Sequence, residues 1–228
     1  MQPPLAIRRA RPRDLPTAAR LLARNLRFTD ADAIPAWFMR STDECGGITL
    51  VATAGPRVVG ASYAVPACEA GTMALFSCGL AVDPAYRGHR LGVRLKLAQR
   101  SEALALGYRC IRWTTDPING RALRVYLSEL GARLVRYRPA LHDGLRADPG
   151  HPQDDLDVVW HLAGAPPLDP ADVRSVDLPW TVGAEELTER CRVRVQMSEL
   201  LADGYVGSGL ELDRDARSCR VMFARECA

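Results

Sequence analysis

The sequence predicts an α/β fold of the α+β type, in which a central mixed, twisted sheet is flanked by helices and followed by a C-terminal α/β extension. The main observation is the alternation of strand and helix patterns between residues 73 and 137, which favours a mixed or parallel sheet with helices on its faces. The second is an average composition, with 47% hydrophobic and 25% charged residues, typical of a soluble globular protein.

Charge, apolar runs and cysteines exclude several classes of protein. The net charge is only +3 and the arginines form short groups, so no nucleic-acid partner is expected. No apolar run approaches the roughly 18 residues of a membrane span and the N-terminus lacks a signal-type apolar stretch, so we expect a cytoplasmic protein with no membrane contact. The seven cysteines include no C-x-x-C pair, so neither disulfides nor a metal site are expected.

The first half of the chain alternates strand and helix patterns separated by glycine and proline. Asp14 and Asp30 stand where N-caps belong, and Gly55-Pro56-Arg57 is turn chemistry between two strands. The predicted strands are Leu5–Ala10, Ile48–Ala54, Val58–Val65 and Met73–Val82, and the predicted helices are Leu15–Asn25, Ala31–Met39 and Val93–Leu106.

The second half continues this alternation and then passes through a long loop and a linker, Pro139–Asp155 and Ala163–Asp169. Before the long loop, we predict strands at Tyr108–Thr114 and Ala132–Tyr137 and a helix at Asn119–Leu130. Between the loop and the linker we predict a strand at Leu156–Leu162. After the linker we predict a strand at Val173–Leu178, a helix at Glu185–Ala202 and a hairpin of Tyr205–Leu212 with Cys219–Ala224.

The linker divides the prediction into a core of residues 1–164 and a C-terminal subdomain of residues 165–228 docked on that core. The last predicted helix carries one apolar stripe that needs a partner surface, formed by Leu187, Cys191, Val195, Leu200 and Leu201. The core or a second subunit must cover this stripe, which keeps a homodimer open.

A strand, a glycine-bearing loop and a helix follow one another between Met73 and Leu106. The loop Arg87–Gly92 enters the helix directly, and such a loop offers free backbone N–H groups and the positive end of a helix dipole to a diphosphate. Glycine at 88 and 92 permits close approach of the backbone. The same pattern also fits an ordinary strand-turn-helix connection.

The segment Cys78–Gly92 resembles the acyl-CoA binding segment of the GNAT N-acyltransferases, in which an apolar strand leads to R/Q-x-x-G-x-G/A. Arg87 and Gly92 match the two ends of this motif, whereas Arg90 replaces its middle glycine. An arginine is not expected to take glycine-only backbone angles, so Gly88 is the residue that compensates in this interpretation.

The resemblance extends over nearly the whole chain to a branch similar to GNAT proteins associated with N-succinylamino acid racemases. It rests on the order and spacing of short segments: Leu-Lys-Leu-Ala-Gln-Arg at 95–100, Trp-Thr-Thr-Asp-Pro at 113–117, Leu-Gly-Ala at 130–132, Pro-Gln-Asp at 152–154 and Leu-Leu-Ala-Asp-Gly-Tyr at 200–205.

This resemblance implies the GNAT acyltransferase fold and an acyl-coenzyme A co-substrate, acetyl-CoA or succinyl-CoA, whose thioester lies near Phe76–Cys78. The acyl group would pass to the amine of a small molecule such as an amino acid. The implied CoA-binding residues are Leu80, Ala81, Val82, Arg87, Gly88, His89, Arg90, Leu91, Gly92 and Val93.

Two side chains are candidates for the chemistry. Tyr126 follows Asn119 as in N-x-x-A-x-x-x-Y, the pattern whose tyrosine protonates the departing thiolate in many GNAT enzymes, but a count back from Gly131 puts that position on Leu127. Cys78 stands where the branch often has a histidine. The alternative is a GNAT-fold protein that binds CoA or another ligand but performs different chemistry or only binding, as Arg90 and Cys78 allow.

Overall fold

The computed structural model describes residues 4–26, 33–69, 71–143, 153–179, 186–213, 215 and 218–227. The chain divides into two compact units, Met1–Arg112 and Trp113–Ala228. In the described part, no helix is both long and apolar enough to cross a membrane. The predicted division at residue 164 stays a prediction.

The described residues form ten strands and five helices, together with short 3-10 turns at Pro12–Asp14 and Pro84–Tyr86. The strands are β1 Leu5–Arg9, β2 Ile48–Ala54, β3 Arg57–Glu69, β4 Thr72–Val82, β5 Cys110–Thr115, β6 Arg133–Arg138, β7 Asp155–His161, β8 Leu168–Pro179, β9 Tyr205–Asp213 and β10 Ser218–Glu226. The helices are α1 Leu15–Leu26, α2 Ala36–Glu44, α3 Leu91–Ala105, α4 Gly120–Arg124, which continues as a π-helix over Val125–Glu129, and α5 Glu186–Ala202.

The first unit is built on a mixed sheet. Strands β1 to β4 pair in chain order and are antiparallel, and β5 begins parallel to β4 at Leu75–Ile111 and Phe76–Arg112. The predicted mixed sheet is confirmed, and the turn at Gly55-Pro56-Arg57 joins β2 to β3 as expected.

Helices cover both faces of this sheet. A Cβ atom at Gly79 would come within 2.9 Å of Leu26 Cδ1 on α1, whereas the neighbouring Leu80 lies 3.5 Å from the Cβ position of Gly92 on α3. Because successive strand residues point to opposite faces, α1 and α3 lie on opposite sides of β4. The α1 face is closed by an apolar cluster of Leu15, Ala18, Leu22, Met39, Val51, Ala61, Tyr63 and Ala81.

Two details of the N-terminal prediction are wrong. The second helix spans Ala36–Glu44 and not Ala31–Met39; its N-cap is Pro35, which lacks an N–H and pushes the residue before it out of helical geometry. The predicted cap Asp30 lies outside the described residues. Asp14 does not precede α1 as a free cap but ends a short 3-10 turn, where its carboxylate accepts the Arg11 N–H at 2.7 Å.

The second unit has its own antiparallel strands, in the order β7-β6-β9-β10-β8. The predicted hairpin is confirmed as β9 and β10. Strand β8 begins at Leu168, so the last residues of the predicted linker belong to a strand. Segments β8 to β10 and α5 therefore pack with β6 and β7 within one unit.

The predicted apolar stripe of α5 is wrong. Leu187 and Val195 are 51% and 54% exposed, and the buried residues of the helix are Arg190, Val193 and Met197. Arg190 can face inward because its guanidinium forms two 2.9 Å hydrogen bonds to the Asp116 carboxylate and also bonds Glu186. A hydrogen-bonded ion pair takes the place of the apolar contact that periodicity predicts.

The contact between β6 and β9 provides a test of how tightly this unit is packed. A Cβ atom at Gly207 would lie 2.7 Å from Leu134 Cδ1, and Leu134 is fully buried. We expect Gly207→Ala to destabilise the protein by about 1–3 kcal/mol through overpacking, measured by urea unfolding. Gly209→Ala, whose Cβ would lie 3.8 Å from Met222, is the matched control. Equal stability of the two variants would contradict this account of the β6–β9 contact.

Candidate active site

Strand β4 carries a β-bulge at Cys78. The register with β3 runs Tyr63–Gly79 and then Ala64–Ser77, so Cys78 is the extra residue and has no opposite partner. A bulge bends its strand and interrupts the ladder. The parallel pairing with β5 also ends at Phe76, so β4 leaves regular pairing on both sides at the same place.

Beyond the bulge, one edge of β4 presents its backbone to side chains. The Leu80 carbonyl accepts a hydrogen bond from Asn25 Nδ2 at 3.0 Å, and the Val82 carbonyl accepts one from Arg87 Nε at 3.2 Å. Because alternate residues of a strand face the same edge, the N–H groups of Leu80 and Val82 point to this edge as well, whereas Ala81 pairs with Ala61 of β3.

Asn25 joins the predicted site although nothing in its sequence context suggested it. Its Oδ1 accepts a hydrogen bond from Arg87 Nη2 at 3.1 Å, which links the end of α1 to the first residue of the glycine loop. The Arg87 side chain therefore forms hydrogen bonds with both the strand edge and Asn25.

The glycine loop leads from β4 into the N-terminus of α3. Gly88 has φ +83°, a conformation that favours glycine. Arg90, the N-cap of α3, has φ 56° and ψ 19°, so the expectation that arginine cannot take these angles is wrong. The left-handed region admits a non-glycine residue at a cost of order 1–2 kcal/mol.

The first turn of α3 has backbone donors to offer. Its first helical hydrogen bond runs from the Arg94 N–H to the Arg90 carbonyl at 3.0 Å, and Arg90 supplies no side-chain cap. The preceding N–H groups, of Leu91, Gly92 and Val93, are those that a helix leaves without an intrahelical acceptor. His89 and Arg90 lie exposed beside them.

Behind the bulge lies a buried polar cluster that the sequence analysis missed. Lys96 of α3, the only lysine in the sequence, is 3% exposed. Its Nζ donates to Ser77 Oγ at 2.9 Å and to Gln99 Oε1 at 3.3 Å, and Gln99 Nε2 donates to Ser62 Oγ at 2.8 Å. In a helix pattern a lysine is ordinarily assigned to the solvent face, so sequence periodicity gave no signal for this cluster.

The two titratable groups at the bulge are both shifted toward their neutral forms. Burial lowers the pKa of Lys96 to about 7 and raises the pKa of the Cys78 thiol to about 11, because a low-dielectric environment disfavours charge on either group. The Cys78 Sγ donates to the Phe76 carbonyl at 3.7 Å. At neutral pH Cys78 is therefore a thiol and not the thiolate that nucleophilic attack requires.

A cleft of about 760 Å³ opens on the α1–α2 side of β3 and β4. Its walls come from the start of α2, from β3 and from Cys78, and comprise Ala33, Ile34, Pro35, Phe38, Thr42, Cys45, Tyr63, Val65, Pro66 and Cys78. The polar groups among them include a hydroxyl pair, Tyr63 and Thr42, whose oxygens are 2.7 Å apart. The cleft thus reaches the bulge from the face opposite α3.

In the second unit, Tyr126 belongs to the π-helix that follows α4. The Leu130 N–H bonds the Val125 carbonyl and the Ala132 N–H bonds the Tyr126 carbonyl, so this turn holds more residues than an α-turn. A count from Asn119 and a count from Gly131 therefore disagree. Leu127 is 3% exposed and fills the core, which leaves Tyr126 as the polar candidate.

The surroundings of Tyr126 keep its phenol protonated. Its ring packs edge-to-face on Trp113 with centroids 5.0 Å apart, and burial raises the pKa of its hydroxyl to about 12, with Thr115 as hydrogen-bond partner. Asp116, the residue after β5, accepts the Ile118 N–H at 3.1 Å, as a turn-forming aspartate does, and it also binds Arg190.

Comparison with known proteins gives the class. A model of the acetyltransferase (GNAT) family matches residues 17–132, so the chain belongs to the GNAT acetyltransferase family. No curated protein sequence matches it significantly.

Solved structures show the same fold. The yncA protein of Salmonella typhimurium, solved with its cofactor acetyl-CoA, is 18% identical with a TM-score of 0.58 and covers 69% of this chain and 94% of its own. The GNAT acetyltransferase of Streptococcus pneumoniae has 21% identity, a TM-score of 0.55 and coverages of 68% and 98%. The ribosomal-protein-alanine N-acetyltransferase of Brucella melitensis is 18% identical with a TM-score of 0.57, and the match covers 68% of this chain and 99% of that protein. These structures confirm the predicted GNAT fold, and membership of the GNAT acetyltransferase family confirms the predicted class of enzyme, an acyltransferase that depends on acyl-CoA.

The buried lysine makes a prediction about stability and pH. Between pH 7 and about 10.4, the ordinary lysine value, the unfolded chain binds a proton that folded Lys96 has lost, so this residue contributes stability that rises with pH. We expect the free energy of unfolding of the native protein, relative to that of Lys96→Met, to increase from pH 7 to 10 in urea titrations. Parallel pH profiles would mean that Lys96 stays charged in the folded state.

Proposed function

We propose that this protein transfers an acyl group, acetyl, succinyl or similar, from acyl-CoA to the amine of a small molecule. The observation that carries the proposal is the continuity of β4 beyond its bulge with the N-terminus of α3. An exposed strand edge suits the amides of a pantetheine arm, and helix N–H groups suit a diphosphate. Among the neighbours, the Salmonella protein was solved with acetyl-CoA, which supports acetyl-CoA as the donor.

Of the ten residues that the sequence predicts at the CoA site, Ala81 is buried and pairs with β3, so the other nine would contact the CoA in this proposal. Leu80 and Val82 contribute backbone groups of the edge, and the loop from Arg87 to Arg90 contributes positive charge and a glycine. The N–H groups of Leu91, Gly92 and Val93 face the diphosphate in this proposal. Asn25 and Arg87 must release the carbonyls of β4 wherever pantetheine amides replace them.

In the proposed reaction, the bulge contributes backbone groups rather than side chains. A thioester carbonyl placed near Cys78 meets backbone amides that the bulge frees from the ladder, and such donors stabilise the oxyanion that develops during attack. The amine attacks the thioester carbon, the C–S bond breaks as the acyl group moves to nitrogen, the nitrogen loses its extra proton to water, and the departing thiolate gains a proton. Tyr126, held protonated by burial, is proposed as the donor of that last proton.

Binding of acyl-CoA tests the donor site. A Cβ at Gly92 would make only an ordinary 3.5 Å contact with Leu80, so substitution there is compatible with the fold. We expect Gly92→Gln to weaken acetyl-CoA binding at least about tenfold in calorimetry, because the long side chain occupies the space of the diphosphate. Gly92→Ala is the matched control and should lose little. A folded Gly92→Gln variant with unchanged affinity would remove the basis for this site.

Turnover tests the proposed acid. We expect Tyr126→Phe to lower kcat more than about tenfold with little change in CoA affinity, as loss of a general acid does. Leu127→Met, at the position that the other count selects, should keep the native rate. The rate is measured as CoA thiol release with a panel of amines, and a native rate for Tyr126→Phe would leave Tyr126 as a packing residue.

A further inference from the structure

The cleft that reaches Cys78 has an uncharged lining. None of the described residues that form it carries a formal charge at neutral pH, because the Cys78 thiol stays protonated and the remaining polar groups are Thr42, Cys45 and Tyr63. Its broader surfaces are apolar, with Phe38 and Val65 among them. A cavity of this size and character is typical of a small-molecule site.

The charged side chain that follows Thr42 in α2 points away from the cleft. Asp43 follows Thr42 in α2, but its Oδ1 accepts a hydrogen bond from Thr49 Oγ1 at 2.9 Å and lies 4.0 Å from Arg9 Nη1. Burial raises the pKa of this carboxyl, which is a sign of a group turned away from water. Asp43 is absent from the cleft lining and does not offer a charge to a ligand there.

From this lining we propose that the acceptor is a primary amine with an apolar body and no carboxylate beside the amine. The inference rests on the proposed function, which places the thioester at Cys78 and so brings the nucleophilic nitrogen to the inner end of the cleft. The apolar body then lies along Phe38 and Val65. This narrows the acceptor class, because amino acids were the expected example.

The argument against an α-amino acid is geometric. Its carboxylate is attached to the same carbon as the amine, so bringing the nitrogen to the bulge also brings the carboxylate against the inner lining of the cleft. Among the described lining residues it would find no cation, and a buried carboxylate without a counter-charge is strongly disfavoured. Among these described residues there is also no carboxylate to hold the amine protonated, which favours the neutral amine that attacks a thioester.

Matched ligands test this inference by binding as well as by turnover. With the protein saturated by CoA, calorimetry compares phenethylamine, phenylalanine and phenylalanine amide, which differ only at the carboxyl position. We expect phenethylamine and the amide to bind at least about tenfold more tightly than phenylalanine. Equal or tighter binding of phenylalanine, no binding of any of the three, or a clear preference for a peptide N-terminus would overturn the inference.

A charge placed in the cleft should reverse the preference. Phe38 lines the cleft and is 43% exposed, so the long side chain in Phe38→Arg adds a cation within the lining that can reach toward the carboxylate of a bound amino acid. We expect this variant to raise the affinity for phenylalanine relative to phenethylamine. The control is Trp37→Arg, which adds the same charge at a neighbouring residue that is 70% exposed and outside the lining, and it should leave the ratio unchanged. Equal effects of the two variants would overturn the inference.

The two proposals fail in different ways. Loss of CoA binding, or CoA binding without transfer to any amine in the panel, would refute the proposed acyltransferase function. Transfer to amines with phenylalanine among the best acceptors would refute only the apolar acceptor. Binding of the three ligands is measured with CoA rather than acyl-CoA, so that chemistry does not obscure affinity.

Discussion

The departure of β4 from regular pairing is the constraint on which the rest of the first unit depends. In a strand inside a sheet, the backbone groups of both edges normally form hydrogen bonds with the two neighbouring strands. Here the bulge at Cys78 removes one residue from the ladder with β3, and the pairing with β5 stops at Phe76. The carbonyls of Leu80 and Val82 are then met by side chains, which are easier to displace than a strand. The backbone groups of Leu80 and Val82 can therefore be offered to a ligand, although their carbonyls are hydrogen-bonded when no ligand is bound.

Helix α3 ties this strand edge to the loop that follows it. The first turn of the helix holds the glycine loop, and one turn further on Lys96 and Gln99 bond Ser77 and Ser62 behind the bulge. One rigid helix therefore fixes the relative position of the strand edge and the phosphate-receptive N-terminus. Arginine could not replace Lys96, because a guanidinium stays charged at any accessible pH and would meet the full cost of burial.

Local patterns in the sequence were sufficient for the sheet and the glycine loop, and insufficient where tertiary contacts decide. Strand β2 has the predicted bounds, since a fully buried β-rich run between glycines has few alternatives. The predicted apolar stripe of α5 is wrong because Arg190 pairs with Asp116, 74 residues away in the sequence, a contact that periodicity does not encode. The roles of Lys96 and Asn25 were not predicted for the same reason. The sequence around a polar side chain does not show whether the side chain is buried or which group it bonds.

The two residue counts that give Tyr126 and Leu127 differ because of a small irregularity in the backbone. Patterns that start at Asn119 and patterns that end at Gly131 are each correct locally, but the π-helix at Val125–Glu129 lengthens the turn between them. A π-bulge rotates the side chains after it relative to those before it and often occurs at functional sites. Leu127 thereby turns into the core while Tyr126 packs on Trp113. The count back from Gly131 alone would have named Leu127, whose side chain cannot donate a proton.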